Sequence, residues 1–295
     1  MTNINGKTRT VGLIGNPVEH TLSPFIHNLL AEKMGINTAY LPFQVKTENV
    51  KNAVLGAKAL GLLGNNVTIP YKTDVLPFVD ILDDEAQVVQ AVNTLKYKND
   101  QIYGFNTDGY GLRTSCLNNG IIFEGKTICI LGAGGAAKSV AFMCAKENIK
   151  NLILINRTLE TAQELRSNIH KYFDLPIDVF TFDDIDSHTR KNICFQTTSI
   201  GMHPLIDACP IEDPAFFNGM EWAVDIIYNP SETKFLKMAL SAGVKALNGL
   251  EMLFYQAVKS FEIWHEVVIP NQIVGEVLLR LCDFAYNRTI KEMVK

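Results

Sequence analysis

The feature that most constrains this chain is the stretch 127–137, which has the sequence TICILGAGGAA. An apolar, largely β-branched run leads into the pattern G-x-G-x-x-A, and a helix-forming segment follows. In such a turn Gly132 permits a tight exit from the strand, Gly134 lets backbone N–H groups approach a pyrophosphate, and Ala137 lets the helix pack close to the sheet. The pattern predicts a dinucleotide-binding turn; the alternative is an ordinary strand-to-helix connection.

The end of the next strand candidate indicates which dinucleotide binds. NLILIN, residues 151–156, is followed by Arg157 and Thr158, where NAD-binding proteins carry an acidic residue for the ribose hydroxyl. A guanidinium can donate two hydrogen bonds to a ribose 2′-phosphate. The sequence therefore favours NADP over NAD; the alternative is a solvated surface arginine.

Bulk composition bounds the class of protein. The chain has 295 residues, of which 47% are hydrophobic, and a formal net charge of −4. The length favours two domains, and the charge argues against nucleic acid as the main partner. No uninterrupted apolar stretch approaches the roughly 18 residues of a membrane span, and the N-terminus has no apolar signal-peptide core. We therefore expect a cytoplasmic protein with no membrane partner.

The cysteines are widely spaced, and none forms a C-x-x-C pair. Several fall within apolar strand or helix patterns, so we expect buried thiols in a reducing compartment. The six positions are Cys116, Cys129, Cys144, Cys194, Cys209 and Cys282.

Strand and helix patterns alternate along the first 106 residues, which is typical of the α/β class. TVGLIG, YLPFQV and NNVTI are strand candidates, and helices are predicted at 23–34 and from Glu48. Six further strand candidates lie between Lys126 and Asn248, enough for a doubly wound sheet.

The last segments of the chain are different, because two helical patterns follow one another with no further strand. They cover Glu251–Trp264 and Gln272–Met293. A complete sheet does not need them, so we expect them to return to the first domain. The predicted domains are residues 1–108 with 249–295, and residues 109–248.

Three polar clusters precede the dinucleotide turn, and the first is GNPVEHTLSPFIHN, residues 15–28. Thr21 and Ser23 place two hydroxyls on one side of an extended tripeptide ahead of a helix, which suits a carboxylate. Ser23 also fits the N-cap of that helix, with Pro24 as its first residue, and that role needs no ligand.

The second cluster is GNNVTIPYK, residues 64–72. Pro70 predicts that the strand ends at Ile69 and that Lys72 falls in the first turn of a helix. A cation there opposes the helix dipole and costs stability unless an anion or a function compensates. The alternative is a surface lysine.

The third cluster comprises AVNTLKY and GFNTDGYG, with Asn93 and Asp108. Asp108 follows a short strand and can open a helix. Both side chains are also common in turns and helix caps, so neither residue alone indicates a function.

Taken together, the segments resemble a known family. GNPVEHTLSPFIHN, NNVTIPYK, AVNTL, FNTDG, LGAGGAAKS, NRT, TTSIGM and NGLEMLFYQA occur in this order. Over essentially its full length the chain resembles the shikimate dehydrogenases and the similar quinate/shikimate dehydrogenases. The resemblance implies two α/β domains, an N-terminal substrate domain completed by C-terminal helices and a Rossmann-type NADP-binding domain, with the active site in the cleft between them. It also implies NADPH-dependent, reversible reduction of 3-dehydroshikimate to shikimate in the pathway to chorismate and aromatic amino acids.

The same resemblance assigns roles to individual positions. Lys72 and Asp108 match the catalytic pair of the family. Substrate-binding positions are matched by Thr21, Ser23, Thr68, Asn93, Tyr228 and Gln256. Cofactor-binding positions are matched by Gly132, Ala133, Gly134, Gly135, Ala136, Asn156, Arg157, Thr158, Met202, Gly249 and Met252. No metal site is implied, and we expect a small-molecule substrate and a monomer or homodimer.

Elementary chemistry is consistent with the catalytic pair. Hydride addition to a ketone leaves negative charge developing on oxygen, which a protonated Lys72 would stabilise and protonate. A carboxylate at Asp108 would hold the ammonium and keep it protonated. Oxidation of the alcohol requires the lysine to lose its proton first, so this direction is expected to accelerate with rising pH.

Two departures from the family pattern leave an alternative open. Thr21 stands where the family usually has serine, and Thr161 stands where many NADP-specific members have a second basic residue. The alternative is a quinate/shikimate dehydrogenase that uses NAD in quinate catabolism, with NAD also a secondary cofactor for the favoured activity. A non-catalytic dinucleotide sensor would need neither Lys72 nor Asp108, and a metal-dependent hydrolase would need an H-E-x-x-H motif that the sequence lacks.

Overall fold

The chain forms two compact units. The computed structural model describes residues 4–185 and 189–293, with the side chains of the last helix described as far as Asn287. One unit comprises the residues up to Thr107 together with those from Phe254 onward, and the other comprises Asp108–Leu253. The second boundary lies inside the helix Leu250–His265, later than the sequence pattern placed it.

Nine α-helices are assigned within the described residues. The first coincides with the predicted 23–34, and the last two begin within one residue of the predicted starts, so these predictions are confirmed. The helix expected from Glu48 instead starts with a 3-10 turn at Thr47–Asn49. The helices are α1 (Ser23–Met34), α2 (Val50–Ala59), α3 (Asp84–Val89), α4 (Asp108–Asn118), α5 (Gly135–Ala145), α6 (Leu159–His170), α7 (Lys234–Ser241), α8 (Leu250–His265) and α9 (Asn271–Met293).

The first unit contains a mixed six-stranded sheet in the order β2-β1-β3-β5-β6-β4. β1 pairs in parallel with β2 and β3, whereas β5 is antiparallel to both β3 and β6. The β5–β6 hairpin turns at Asn99 and Asp100, whose φ angles of 52° and 60° suit a two-residue hairpin loop. The strands are β1 (Arg9–Gly15), β2 (Thr38–Gln44), β3 (Gly64–Val67), β4 (Ile81–Leu82), β5 (Thr94–Lys98) and β6 (Gln101–Phe105).

The C-terminal helices pack within this first unit. Val277 and Leu281 of α9 are buried at the i, i+4 spacing of one helix face. Phe284 stacks on Phe25 of α1, with ring centroids 4.4 Å apart. Trp264 of α8 donates its indole N–H to the Leu95 carbonyl of β5 at 2.8 Å. The apolar stripes of the two final helices therefore cover the sheet and α1.

The second unit contains a parallel six-stranded sheet in the order β9-β8-β7-β10-β11-β12, as the six strand candidates predicted. The strand order reverses between β7 and β10, and such a switch point is where doubly wound sheets bind ligands. The strands are β7 (Thr127–Leu131), β8 (Asn151–Ile155), β9 (Ile177–Phe180), β10 (Ile193–Gln196), β11 (Trp222–Asp225) and β12 (Lys245–Leu247).

Four of the six cysteines are buried as expected, but the prediction was wrong for Cys282 and only partly right for Cys209. Cys282 follows the buried Leu281 on α9, and one helical step turns its side chain towards solvent. Cys209 is half-buried in the long segment after β10. Among the described residues, no helix is long and apolar enough to cross a bilayer.

Candidate functional site

Polar residues collect at one edge of the first sheet because of its strand directions. β1, β3 and β6 run parallel to one another, and β5 runs against them. The carboxyl ends of β1, β3 and β6 therefore lie at the same edge of the sheet as the amino end of β5. This geometry brings Asn93, which precedes β5, to the same edge as Thr68, which follows β3, and Thr107, which follows β6.

Thr21 and Ser23 form a hydroxyl pair after β1. Their oxygens are 3.1 Å apart, and the Ser23 N–H donates to the Thr21 hydroxyl oxygen at 3.2 Å. The predicted N-cap role of Ser23 is wrong, because Ser23 is the first residue of α1 and Leu22 occupies the N-cap position without a side-chain cap bond. The pair is thus fixed by its own bonds, with Ser23 buried and Thr21 half-buried.

Thr68 lies against the end of β1. Its N–H donates to the Ile14 carbonyl at 3.0 Å. A β-carbon added to Gly15 would lie 2.4 Å from the Thr68 methyl carbon, so only glycine fits beside it. Thr68 therefore lies beside Gly15, the residue after which the loop with the hydroxyl pair begins.

Asn93 is hydrogen-bonded to a second predicted substrate-binding residue, Gln256, and to Thr107. Its side-chain oxygen accepts the Thr107 N–H at 2.9 Å. Its side-chain N–H groups donate to the Thr107 hydroxyl at 2.9 Å and to the side-chain oxygen of Gln256 at 3.5 Å. The structure thus joins Asn93 to Gln256 on α8.

A buried asparagine that the sequence analysis missed lies behind this group. Asn66 accepts a hydrogen bond from the Tyr40 hydroxyl at 2.9 Å, and it donates to the Asn93 carbonyl, the Thr94 hydroxyl and the Ser260 hydroxyl, each at 3.1 Å. Burial raises the pKa of Tyr40 well above its usual range, so the phenol remains a donor. An amide inside a buried strand was the one signal available in the sequence.

Lys72 does not lie in a helix, which corrects the sequence prediction. β3 ends at Val67 rather than Ile69, and residues 69–75 form successive turns before a 3-10 helix at Leu76–Phe78. Lys72 therefore does not lie at a helix N-terminus whose dipole would oppose its charge. The Lys72 carbonyl accepts the Val92 N–H at 2.8 Å, which ties its backbone to the residue before Asn93.

Asp108 opens α4, as predicted, and its residue surface is 7% exposed. It directly follows Thr107, whose N–H and hydroxyl are bonded to Asn93. Within the first unit, the Lys72 carbonyl is thus hydrogen-bonded to Val92, and Thr107, which precedes Asp108, is hydrogen-bonded to Asn93.

The predicted dinucleotide turn follows β7 in the second unit. Gly132 has φ +106°, and a β-carbon there would lie 2.8 Å from the Thr197 hydroxyl oxygen. Gly134 is the N-cap of α5 with no side-chain cap bond, and open space surrounds a β-carbon built on Gly134 or Gly135. The start of α5 is therefore uncrowded at both glycines, and the first-turn N–H groups of a helix are suited to binding a pyrophosphate. Ala133 is buried and Ala136 is half-buried beside them.

Arg157 and Thr158 are exposed on the loop after β8. The Asn156 side chain donates to the Thr158 carbonyl at 2.8 Å and shapes this loop. The Gly132 N–H donates to the Ile155 carbonyl at 2.7 Å, two residues before Arg157. The loop that carries Arg157 therefore begins beside the dinucleotide turn, and a guanidinium is a group that suits a ribose 2′-phosphate.

The remaining predicted positions lie on loops of the second unit and at the start of α8. Met202, after β10, is 41% exposed, whereas Tyr228 and Met252 are half-buried. The Gly249 N–H donates to the Ile227 carbonyl at 3.0 Å. The structure thus joins the loop of Tyr228 to the start of α8. Within residues 4–185 and 189–293, no group of three His, Cys, Asp or Glu side chains is placed to hold a metal ion.

Comparison with known proteins identifies the family. The chain matches the shikimate dehydrogenase substrate binding domain over residues 13–95, shikimate / quinate 5-dehydrogenase over residues 117–226, and the shikimate 5′-dehydrogenase C-terminal domain over residues 249–279. It is 42% identical to the shikimate dehydrogenase (NADP+) of Methanococcus maripaludis, over 88% of this chain and 91% of the relative.

Solved structures agree with this match. A shikimate dehydrogenase in complex with NADP+ superposes with a TM-score of 0.87 at 39% identity, covering 94% of this chain and 96% of the other. A shikimate 5-dehydrogenase from Listeria monocytogenes, in complex with shikimate and NAD, has a TM-score of 0.87 at 31% identity, covering 94% and 99%. The chain belongs to the shikimate dehydrogenase family.

Proposed function

We propose that this protein catalyses the NADPH-dependent, reversible reduction of 3-dehydroshikimate to shikimate in the biosynthesis of chorismate and aromatic amino acids. The observation that carries the proposal is the hydrogen-bonded group of Asn93, Thr107 and Gln256, at the sheet edge that also holds the Thr21–Ser23 pair. A relative named as an NADP+ enzyme and a neighbour solved with shikimate support the choice of reaction.

The proposed substrate-binding side chains are complementary to the substrate in their hydrogen-bond donors and acceptors. The hydroxyls of Thr21 and Ser23 can donate to the carboxylate, with Thr68 beside them at the same sheet edge. Tyr228 is assigned a substrate-binding role by the resemblance to the family. The amides of Asn93 and Gln256 can donate to and accept from the ring hydroxyls. Because Thr107 fixes the orientation of the Asn93 amide, the hydroxyls meet a pre-oriented partner.

Lys72 and Asp108 perform the proton chemistry in this proposal. When bound, NADPH supplies the hydride. The Lys72 ammonium hydrogen-bonds to the substrate carbonyl oxygen, stabilises the charge that develops on it and donates the proton. The resemblance assigns Asp108 the role of orienting that ammonium, and its carboxylate can accept a hydrogen bond from a substrate hydroxyl.

The cofactor is held by the turn after β7 and the loop after β8. The first-turn N–H groups of α5 would bind the pyrophosphate, and Arg157, with Asn156 and Thr158, would bind the 2′-phosphate. The resemblance to the family assigns Met202, Gly249 and Met252 to the surroundings of the nicotinamide. NAD lacks the 2′-phosphate, so it is expected to bind more weakly as a secondary cofactor.

An assay with two substrates and two cofactors tests the proposal. Initial rates of oxidation are measured for shikimate and quinate, each with NADP+ and NAD+. The highest kcat/KM is expected for shikimate with NADP+. A preference for quinate with NAD+ would favour the catabolic alternative, which is the less favoured candidate because the relatives are named for NADP+. Absence of turnover in all four combinations would contradict both.

Location and assembly are part of the proposal. We place the enzyme in the cytoplasm as a monomer or homodimer acting on a small-molecule substrate. Cell fractionation tests the first point, and sedimentation over a range of protein concentrations tests the second.

A further inference from the structure

We propose that Asp225 is a positioning residue that sets the conformation of the Tyr228 loop, residues 226–233, through bonds to both ends of that loop. This inference rests on the proposed function, since it acts through the substrate-binding role of Tyr228. All of the contacts that support it lie within the second unit.

Asp225 is the last residue of β11 and is fully buried. One carboxylate oxygen accepts the Ile227 N–H at 3.0 Å, and the other accepts the Thr233 hydroxyl at 2.6 Å. One carboxylate thus bonds the first and last parts of the loop. The Thr233 oxygen also accepts the Leu236 N–H at 3.4 Å, so the end of the loop is fixed to the start of α7.

The loop is held from its other side by the start of α8. The Ile227 carbonyl accepts the Gly249 N–H at 3.0 Å. A β-carbon on Gly249 would lie 1.9 Å from the Ile226 carbonyl oxygen, so the two backbones are in close contact. Ile227 is therefore bonded through both its N–H and its carbonyl, and Tyr228 is the next residue. A change at Asp225 is transmitted to Tyr228 across one residue.

A second buried side chain connects Asp225 to the neighbouring loop. Gln196, the last residue of β10, is fully buried and hydrogen-bonds to Asp225. The same amide donates to the Ile200 carbonyl at 2.9 Å and to the Thr198 carbonyl at 3.2 Å. Asp225 therefore supports the loop before Met202 as well as its own loop.

Both oxygens of the Asp225 carboxylate serve as hydrogen-bond acceptors. Burial is costly for this group and raises its pKa to about 6, against the opposing effect of its hydrogen bonds. A carboxylate offers two acceptor oxygens to the Ile227 N–H and the Thr233 hydroxyl. Asparagine has the same shape but only one acceptor oxygen, so Asp225→Asn replaces one of the two acceptors with an N–H donor at little change in volume.

A double-mutant cycle tests the inference. The variants are Asp225→Asn, Tyr228→Phe and both together, with Asp213→Asn as the matched control because Asp213 accepts the Ala215 N–H of a 3-10 helix at 2.9 Å in the same unit. Asp225→Asn is expected to raise the KM for shikimate about tenfold while the NADP+ dissociation constant, from calorimetry, changes less than about twofold. In the Tyr228→Phe background the same change should have almost no further effect. The control should match the wild type.

Three results would overturn the inference: unchanged shikimate KM in Asp225→Asn, equal weakening of shikimate and NADP+, or additive losses in the cycle. If Asp225→Asn does not fold, Thr233→Val and Thr233→Ser replace it, since only the first removes the hydroxyl that bonds Asp225. Equal shikimate KM in these two variants would also overturn it. Absence of wild-type turnover would instead contradict the proposed function itself, and this inference with it.

Discussion

Thr107 and Asn93 are hydrogen-bonded in both directions: the Thr107 N–H donates to the Asn93 side-chain oxygen at 2.9 Å, and the Asn93 amide donates to the Thr107 hydroxyl at 2.9 Å. The Lys72 carbonyl is bonded to Val92, and Asp108 follows Thr107 in the chain. Asn93 is therefore expected both to bind substrate and to hold the backbone from which the two proposed catalytic residues extend.

Replacing Asn93 with Ala should raise the KM for shikimate by about 10- to 100-fold and lower the unfolding free energy by roughly 1–3 kcal/mol, because a buried N–H loses its acceptor. The matched control is Asn192→Ala, since the Asn192 side chain also accepts a backbone N–H, from Thr127 at 3.0 Å. Asn192 precedes β10 in the second unit, at the edge of that sheet away from the dinucleotide turn. Kinetics and urea unfolding measure both quantities. A comparable loss of stability in both variants with no change in shikimate KM would show that Asn93 is only structural.

Removing the Arg157 guanidinium should weaken NADP+ binding by roughly 1.5–3 kcal/mol and leave NAD+ binding nearly unchanged, because only NADP+ carries the 2′-phosphate. Calorimetry with both cofactors on Arg157→Ala measures this, with the exposed Arg280→Ala on α9 as the control. Equal weakening for the two cofactors would mean that Arg157 supports the loop rather than the phosphate.

A methyl group at Gly132 should disturb the dinucleotide turn. Both Gly132 and Gly120 have positive φ, at +106° and +78°, but only at Gly132 does a β-carbon meet a neighbour, the Thr197 hydroxyl at 2.8 Å. Gly120→Ala should cost roughly 1 kcal/mol of stability through backbone strain alone and leave NADP+ affinity intact. Gly132→Ala should cost more and weaken NADP+ at least about tenfold. Wild-type NADP+ affinity in Gly132→Ala would contradict the assignment of the turn.

Acid lability should depend on His27. Its ring is fully buried and stacks on Tyr40 at 4.3 Å, and burial, aided by His265, lowers its pKa to about 3. The unfolded histidine takes up a proton near pH 6.5, whereas the folded one stays neutral until about pH 3. Its contribution to stability is therefore complete above pH 6.5 and is lost as the pH falls, at up to about 1.4 kcal/mol per pH unit.

Urea unfolding of the wild type and His27→Phe between pH 4.5 and 7 measures that contribution. The difference between the two proteins isolates His27, because His265 titrates in both. The wild type should lose stability relative to the variant as the pH falls. Parallel curves would show that His27 keeps an ordinary pKa.

The sequence predicted the regular elements well, because their signals are local. The stripe of Ile26 and Leu30 placed α1, and continuous apolar runs such as ICIL placed the strands of the second sheet. The glycine pattern located the switch point for the same reason, since the turn, the strand and the helix are contiguous. Asn93 and Asp108 were found through the resemblance.

What the sequence did not reveal depends on contacts between distant residues. The reversed direction of β5, which brings Asn93 to the edge, follows from the hairpin at Asn99 and Asp100, whose pairing is not visible in the alternation of apolar residues. The bond between Asn66 and Ser260 joins residues 194 positions apart. At Lys72 the local signal was misleading, because successive turns and a 3-10 helix replaced the predicted α-helix.

The most direct test of the account is the turnover of Lys72→Ala. The variant should bind NADP+ nearly as the wild type does, while its shikimate oxidation is slower by about 10²- to 10⁴-fold, because the group that accepts the proton from the alcohol is missing. Unchanged turnover would contradict the central claim that Lys72 transfers the proton.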